Sequence, residues 1–349
     1  MAAYTTIDNP ELYFQTKIYS GTGNSHAITL DGSEDMQPDW VWFKRRDGSA
    51  NHHAYTSITG VTGALVPNDT DVETTGSLEA TNYFSSFDSD GFTLGSGNYN
   101  NSNKSGQTYV SWNWKAGGSS TSSNSNGSIT SNVSVNSTAG FSTVLWTHDG
   151  GNSTIGHGLG AIPQVVITKE RNATGSWNSY FSAVGNAHRM VLQGTNAKIS
   201  SSIWNSTTPT ANVFSMNDSI TSTMIAYCFT EKKGYSKFGG YTGNGSTDGV
   251  FNYTGFRPAW IMIKRTNSSQ PWCIWDNKRS PFNLTQNYLY ANDPGAEGSG
   301  ANIDLDMLSN GFKLRNSGAF LNTSGDTFLY MAFAESPFVN SEGIPNNAR

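Results

Sequence analysis

Pro38-Asp39-Trp40-Val41-Trp42-Phe43-Lys44 is a proline, an almost unbroken apolar run and a lysine. The same plan returns as Pro163-Gln164-Val165-Val166-Ile167-Thr168-Lys169 and as Pro258-Ala259-Trp260-Ile261-Met262-Ile263-Lys264. Proline is tolerated where a hydrogen-bond ladder has not yet begun, so each one marks a strand entrance. The runs are short and rich in β-branched and aromatic residues, which predicts strands buried on both faces rather than helices. Lys44, Lys169 and Lys264 are expected to mark the return to solvent.

Working outward, a Gly-Asn pair precedes each run (Gly23-Asn24, Gly151-Asn152, Gly243-Asn244), and both residue types tolerate the positive φ of tight turns. An aromatic position follows each run at Tyr55, Tyr180 and Trp275. Asp90-Gly91 and Asn310-Gly311, each between apolar residues, predict hairpins in the first and third copies. Each copy closes on a period-two strand whose inward residues are Val110, Trp112 and Trp114, then Ile225, Tyr227 and Phe229, then Leu329, Met331 and Phe333. Such alternation predicts half-buried strands, and three matches in one order make an internal repeat.

The repeat divides the chain into an N-terminal docking arm (1–13), unit 1 (14–117), a Gly/Ser-rich linker (118–139), unit 2 (140–238), unit 3 (239–339) and a C-terminal tail (340–349). The linker composition predicts flexibility, although Ile129, Val133 and Val135 alternate and suit one edge strand. Units 2 and 3 have almost no spacer and are expected to pack as a fixed pair, with unit 1 on a longer leash. The fold expected is all-β, three tandem antiparallel β-sandwich units of jelly-roll or lectin-like kind.

Composition agrees. Only 13% of residues are charged, against roughly 25% in ordinary globular chains. Aromatic residues reach 12%, too many for a disordered chain. A net charge of −5 gives no electrostatic footprint for nucleic acid. The clusters Lys44-Arg45-Arg46 and Lys232-Lys233 read as solvated strand ends and turns, with an anion site as the sharper alternative. Cys228 and Cys273 fall at non-equivalent positions of different copies, so a reducing site of synthesis is the simpler inference. No apolar run has the length of a membrane span, so no membrane insertion is expected. The N-terminus lacks the pattern of a signal peptide.

Candidate chemistry is sparse. Asp88 and Asp90, like Asp304 and Asp306, sit two apart and read as turn and solvent-face carboxylates. The adjacent His52 and His53 would face opposite ways in a strand and could not share a metal. His148 and His157 flank a glycine-rich turn without partners at ligand spacing. No nucleophile motif, phosphate loop or dinucleotide fingerprint occurs, so no catalytic residue, metal site or cofactor is expected. The remaining candidates are Trp177 and Trp272, which share one repeat position with His52. Two readings stay open for them: packing in the core, or stacking on the apolar face of a sugar as glycan contacts.

The phrases Phe84-Ser-Ser-Phe-Asp-Ser-Asp-Gly-Phe-Thr-Leu94, Tyr109-Val-Ser-Trp-Asn-Trp-Lys-Ala-Gly-Gly118, Ile155-Gly-His-Gly-Leu-Gly160 and Tyr253-Thr-Gly-Phe-Arg-Pro-Ala-Trp260 carry a resemblance. Together they resemble a tandem domain of structural proteins of marine bacteriophages, including those of cyanobacteria and SAR11-type hosts, over roughly residues 13 to 339. The resemblance implies a non-enzymatic virion protein on the particle surface, tail-fibre-like or lectin-like. Tail-associated receptor binding leads, capsid decoration is the alternative, and a glycan-degrading depolymerase is a third reading. Expected partners are other virion proteins and a host surface glycan or outer-membrane receptor. By analogy with phage fibres, a homo-oligomer is expected, with a trimer favoured.

Overall fold

A computed structural model describes residues 3–75, 83–300 and 303–347. Among the described residues the regular elements are strands, apart from a 3-10 turn at Pro10–Leu12. The first stretch holds β1 (Phe14–Ser20), β2 (His26–Thr29), β3 (Trp40–Arg45), β4 (His53–Thr56), β5 (Ala64–Leu65), β6 (Ser86–Asp88), β7 (Gly91–Leu94) and β8 (Thr108–Trp114). The second holds β9 (Ser122–Asn124), β10 (Ser131–Asn136), β11 (Phe141–Asp149), β12 (Asn152–Gly156), β13 (Val165–Glu170), β14 (Asn178–Phe181), β15 (His188–Val191), β16 (Ile199–Ser200), β17 (Val213–Asn217) and β18 (Thr221–Phe229). The third holds β19 (Ser236–Thr242), β20 (Phe251–Tyr253), β21 (Phe256–Arg265), β22 (Cys273–Asp276), β23 (Asn287–Tyr290), β24 (Gly298–Ser299), β25 (Leu305–Leu308), β26 (Gly311–Leu314) and β27 (Thr327–Pro337).

The fold is all-β, built of several antiparallel sheets. Each stretch forms one long sheet with a common order: first strand, closing strand, proline-run strand, then the strands that follow it. The orders are β1-β8-β3-β4-β5, β9-β10-β11-β18-β13-β14-β15-β16 and β19-β27-β21-β22-β23-β24. Short sheets β2-β7-β6, β12-β17 and β20-β26-β25 accompany them. The registers agree with the prolines. Trp42 faces Trp112, Ile167 faces Tyr227, and Met262 faces Met331, each four residues past its proline.

Several expectations are corrected in detail. Residues 118–139 are not a loose leash, because β9 and β10 pair in sequence onto β11 and extend the second long sheet. The edge strand predicted around Val133 and Val135 is β10. Asp39 then fastens the exit from β8, accepting from the backbone N–H of Ala116 (2.7 Å) and of Gly118 (3.0 Å). Pro258 is not at a strand entrance: β21 starts two residues earlier and the proline sits at a bulge, where its missing N–H costs no ladder bond. In the predicted hairpins the turn residues are Ser89-Asp90 and Ser309-Asn310, and each glycine opens the next strand. A Cβ on Gly91 would lie 2.0 Å from the Ile28 carbonyl oxygen, and one on Gly311 2.1 Å from that of Asn252, so the glycine is demanded by strand approach.

The Gly-Asn alignment also shifts by two residues. A fully buried asparagine organises the turn: the Asn103 side-chain oxygen accepts from Thr22 N–H, and the Asn322 oxygen from Asn244 N–H, both at 2.9 Å. Gly21-Thr22-Gly23 therefore matches Gly243-Asn244-Gly245.

The closing strands are buried on both faces rather than one. Their inward residues converge on a core shared by all three stretches, while the opposite face of β8 and β18 packs toward the short sheet through Tyr109, Met224 and Cys228. At the meeting point Phe333 lies 5.7 Å from Trp114 and 5.8 Å from Phe229, ring centre to ring centre. Trp40 stacks on Tyr227 at 4.3 Å, and Phe14 on Phe333 at 5.2 Å. The N-terminal arm joins the third stretch: Ile7 is buried, Thr5 Oγ1 donates to the Lys233 carbonyl (2.7 Å), and Tyr4 OH donates to that of Gly255 (2.9 Å). Among the described residues no helix is long and apolar enough to cross a membrane.

Because one core serves all three stretches, Phe333→Ala should cost about 3–5 kcal/mol. Chemical denaturation followed by tryptophan fluorescence should give a single transition shifted as a whole, and hydrogen exchange should loosen β8 and β18 together with β27.

Candidate functional site

The position fourteen residues past each proline is occupied by His52, Trp177 and Trp272, all 0% exposed. They are not surface glycan contacts: a sugar ring has no access to them. Each reaches into the neighbouring stretch. Trp177 Nε1 donates to the Val66 carbonyl (2.9 Å) and Trp272 Nε1 to that of Val191 (3.0 Å). His52 Nε2 lies 3.0 Å from the Tyr290 carbonyl, and its Nδ1 accepts from Trp42 Nε1 at 2.8 Å, which places the ring proton on Nε2. Burial, with the Lys44 charge adding to it, holds the His52 pKa well below the usual imidazole value, so the ring stays neutral. The backbone N–H of each residue is held by a side-chain amide within its own stretch, from Asn68, Gln193 and Asn292, at 2.7–2.9 Å.

These contacts form a closed cycle, first stretch to second, second to third, third to first. Two backbone bonds repeat at every junction. Gly175 N–H donates to the Thr70 carbonyl, Gln270 to Thr195 and Ala50 to Pro294, each at 2.9 Å. In return Glu73 N–H donates to Arg171, Lys198 to Thr266 and Glu297 to Arg46, at 2.7–2.8 Å. The expected tight pair with a loose first unit is thus overturned, since three equivalent seams hold all three stretches.

The lysines expected at the return to solvent are 0% exposed. Lys44, Lys169 and Lys264 donate to the carbonyls of Arg45, Glu170 and Arg265 at 2.6–2.8 Å, and the last two also reach Thr70 and Thr195 across the junction at 3.2 Å. Burial lowers each pKa from 10.5 to about 8. Arg46, read as a solvated strand end, makes a bidentate pair with Glu297 across a junction, both bonds 2.9 Å. Arg171 does the same with Glu73. At the third junction Thr266 and Lys198 stand in these places, and a cleft of about 390 Å³ lies between them and Tyr241, Thr242 and Thr327.

Two further buried groups cross the junctions. Asp276 accepts from Trp112 Nε1 (3.0 Å) and from Arg279 Nε (2.6 Å), and Thr56 Oγ1 meets the Tyr227 hydroxyl at 2.9 Å. The other polar candidates are spent locally. Asp88 accepts from Ser86 and Thr93, and Asp90 from the Met36 N–H. Asp304 and Asp306 are buried rather than on a solvent face, and Asp306 pairs with Arg315. His148 and His157 face the carbonyls of Asp218 and Thr210. Cys228 and Cys273 are both free and buried, and burial pushes their thiols up. Among the described residues no group of three or more His, Cys, Asp or Glu is placed to hold a metal ion.

What faces outward is unevenly distributed. Phe251, Tyr253, Phe282, Leu284 and Ile344 are exposed on the third stretch and its tail, against Ile18 and Val72 on the first and Ile162 on the second. A cleft of about 390 Å³ is lined in part by Tyr253, together with Tyr4, Glu231, Lys233 and Lys237. Its aromatic faces and charged groups can cover an apolar ring surface and bond its polar rim.

Sequence spacing found the junction residues but not their partners. Glu73 and Lys198 both lie 35 residues after their prolines, whereas Glu297 lies 39 after Pro258, so the second half of the seam slips out of alignment in the third stretch alone. A family model described as a Domain of unknown function (DUF7483) matches residues 9–337. No curated protein and no solved structure matches the chain.

Replacing Trp177 by Phe keeps the packing but strands the Val66 carbonyl, and should cost about 1–3 kcal/mol, read by denaturant titration, with faster exchange at 66–73. The buried lysines set a pH dependence. Between about pH 8, where they lose protons in the native state, and the ordinary value of roughly 10.4, the unfolded chain binds more protons. Unfolding free energy should therefore rise with pH across that window, and Lys169→Met should flatten the rise.

Proposed function

The chain belongs to this family, and we propose that it is a non-enzymatic structural protein of the bacteriophage particle surface, tail-associated and used in receptor attachment. Its architecture is best described as three tandem β-sandwich units, jelly-roll or lectin-like, closed into a ring within one chain. The observation that carries the attachment reading is the concentration of exposed aromatic and apolar side chains on the third stretch. Exposed apolar groups mark candidate interaction surfaces, whereas Lys169, Lys264, Asp276 and the pairs Arg46–Glu297 and Arg171–Glu73 are committed to the seams. The partners on this reading are other virion proteins and a host glycan or outer-membrane receptor.

Capsid decoration is the second reading, favoured by the cyclic junctions: a chain with three similar seams suits a threefold or quasi-threefold position on a shell. The apolar strand runs are buried inside the chain, so the homotrimer favoured by analogy with phage fibres would form through other surfaces; light scattering of the purified chain should return a multiple of the 37.7 kDa of one chain. Cryo-electron microscopy of whole particles should place the protein on the tail, and the purified protein should compete with particles for adsorption to host cells. Density on the capsid lattice without competition would replace the attachment reading with decoration.

A further inference from the structure

The three stretches act as internal controls for one another. Their short sheets share a register: Ile28 faces Phe92, Ile155 faces Phe214, and Asn252 faces Phe312. The flanking positions of that edge strand are Ala27 and Thr29 in the first stretch, Thr154 and Gly156 in the second, and Phe251 and Tyr253 in the third. Small residues satisfy the fold there. In the second stretch the edge is also covered, because Ile129 N–H donates to the Thr154 carbonyl (3.2 Å) and Ser128 N–H to its hydroxyl (2.8 Å). In the third, β20 is an open edge, with Phe251 43% and Tyr253 51% exposed. A bare edge with two exposed aromatics is a liability that folding alone would not retain.

Tyr253 borders the cleft of about 390 Å³, at the lower end of the roughly 300–1,000 Å³ of small-ligand sites. Its hydroxyl meets that of Tyr4 at 3.0 Å, which restrains the ring, and the residue stays 51% exposed. Glu231 is held in place, accepting from Lys237 Nζ at 2.8 Å and from Phe238 N–H at 2.9 Å. Lys233 Nζ sits 4.2 Å over the Tyr4 ring and, among the described residues, has no carboxylate partner. The cleft thus carries two cations against one anion that is already paired.

We propose that this cleft binds an acidic saccharide, a uronic acid unit of a polymer, with its pyranose C–H face on Tyr253 and its carboxylate on Lys233. A pyranose ring offers an apolar face and a rim of hydroxyls, which the aromatic ring and the charged pair Glu231 and Lys237 match. The excess cation selects for the acid over a neutral sugar. The site rests on the attachment reading above and names the ligand class for it.

Trigalacturonic acid is the probe, with its methyl ester as the uncharged counterpart, in calorimetric titration of the full chain. The acid should bind better than the ester. Tyr253→Ala should weaken binding by about tenfold, a loss of roughly 1.4 kcal/mol, and Lys233→Met should erase the preference for the acid while the melting temperature stays unchanged. Phe282→Ser, outside the cleft, should bind as the wild type does. Absence of binding, equal binding of acid and ester, or indifference to Tyr253→Ala would each overturn the site. Adsorption competition separates the two ideas: competition undiminished in Tyr253→Ala sinks the cleft alone, while saccharide binding without competition sinks attachment alone.

Discussion

Phe333, Trp114 and Phe229 are the last inward residues of the three closing strands, and their rings meet where the stretches converge. Aromatic rings in edge-to-face contact at 5–6 Å bury large area and fix relative orientation. That meeting constrains everything outside it. Each closing strand lies between its first strand and its proline-run strand, so locating its end locates the whole long sheet. None of the three long sheets could turn without pulling its ring from this contact.

Apolar packing alone would leave the angle of each junction loosely defined, because it is non-directional. The seams supply direction through buried donors aimed at single carbonyls: Trp177 at Val66, Trp272 at Val191, His52 at Tyr290. A buried polar group without a partner is costly, so these bonds penalise wrong docking more than they stabilise correct docking. The lysines act similarly. Each ammonium, at about pKa 8, donates to the carbonyl of the next residue, which offsets part of its burial.

The three seams differ in their outer charged positions. Arg46–Glu297 and Arg171–Glu73 are equivalent ion pairs, while Thr266 and Lys198 occupy those places at the remaining junction. The third stretch therefore differs twice, at its junction and at the open edge of β20. The other two stretches keep the same backbone plan without exposed aromatics on that edge, so the difference lies on the surface rather than in the fold.

The sequence by itself determined the strands. Period-two alternation, proline position and glycine placement are local consequences of backbone geometry, so the runs from Pro38, Pro163 and Pro258 and the hairpins at Gly91 and Gly311 were legible in order. It also marked position fourteen as special, through His52, Trp177 and Trp272. Which side of the protein that position faced was not legible, because burial by a neighbouring stretch leaves no periodic trace in the residues themselves. The same holds for Lys44, Lys169 and Lys264, where a charge at a strand end signals solvent unless distant carbonyls enclose it. The open aromatic edge beside Lys233 was likewise hidden, since Phe251 and Tyr253 alternate as core residues do. Only the tertiary structure decided which aromatic residues were covered, because covering depends on chain 81 to 238 residues away.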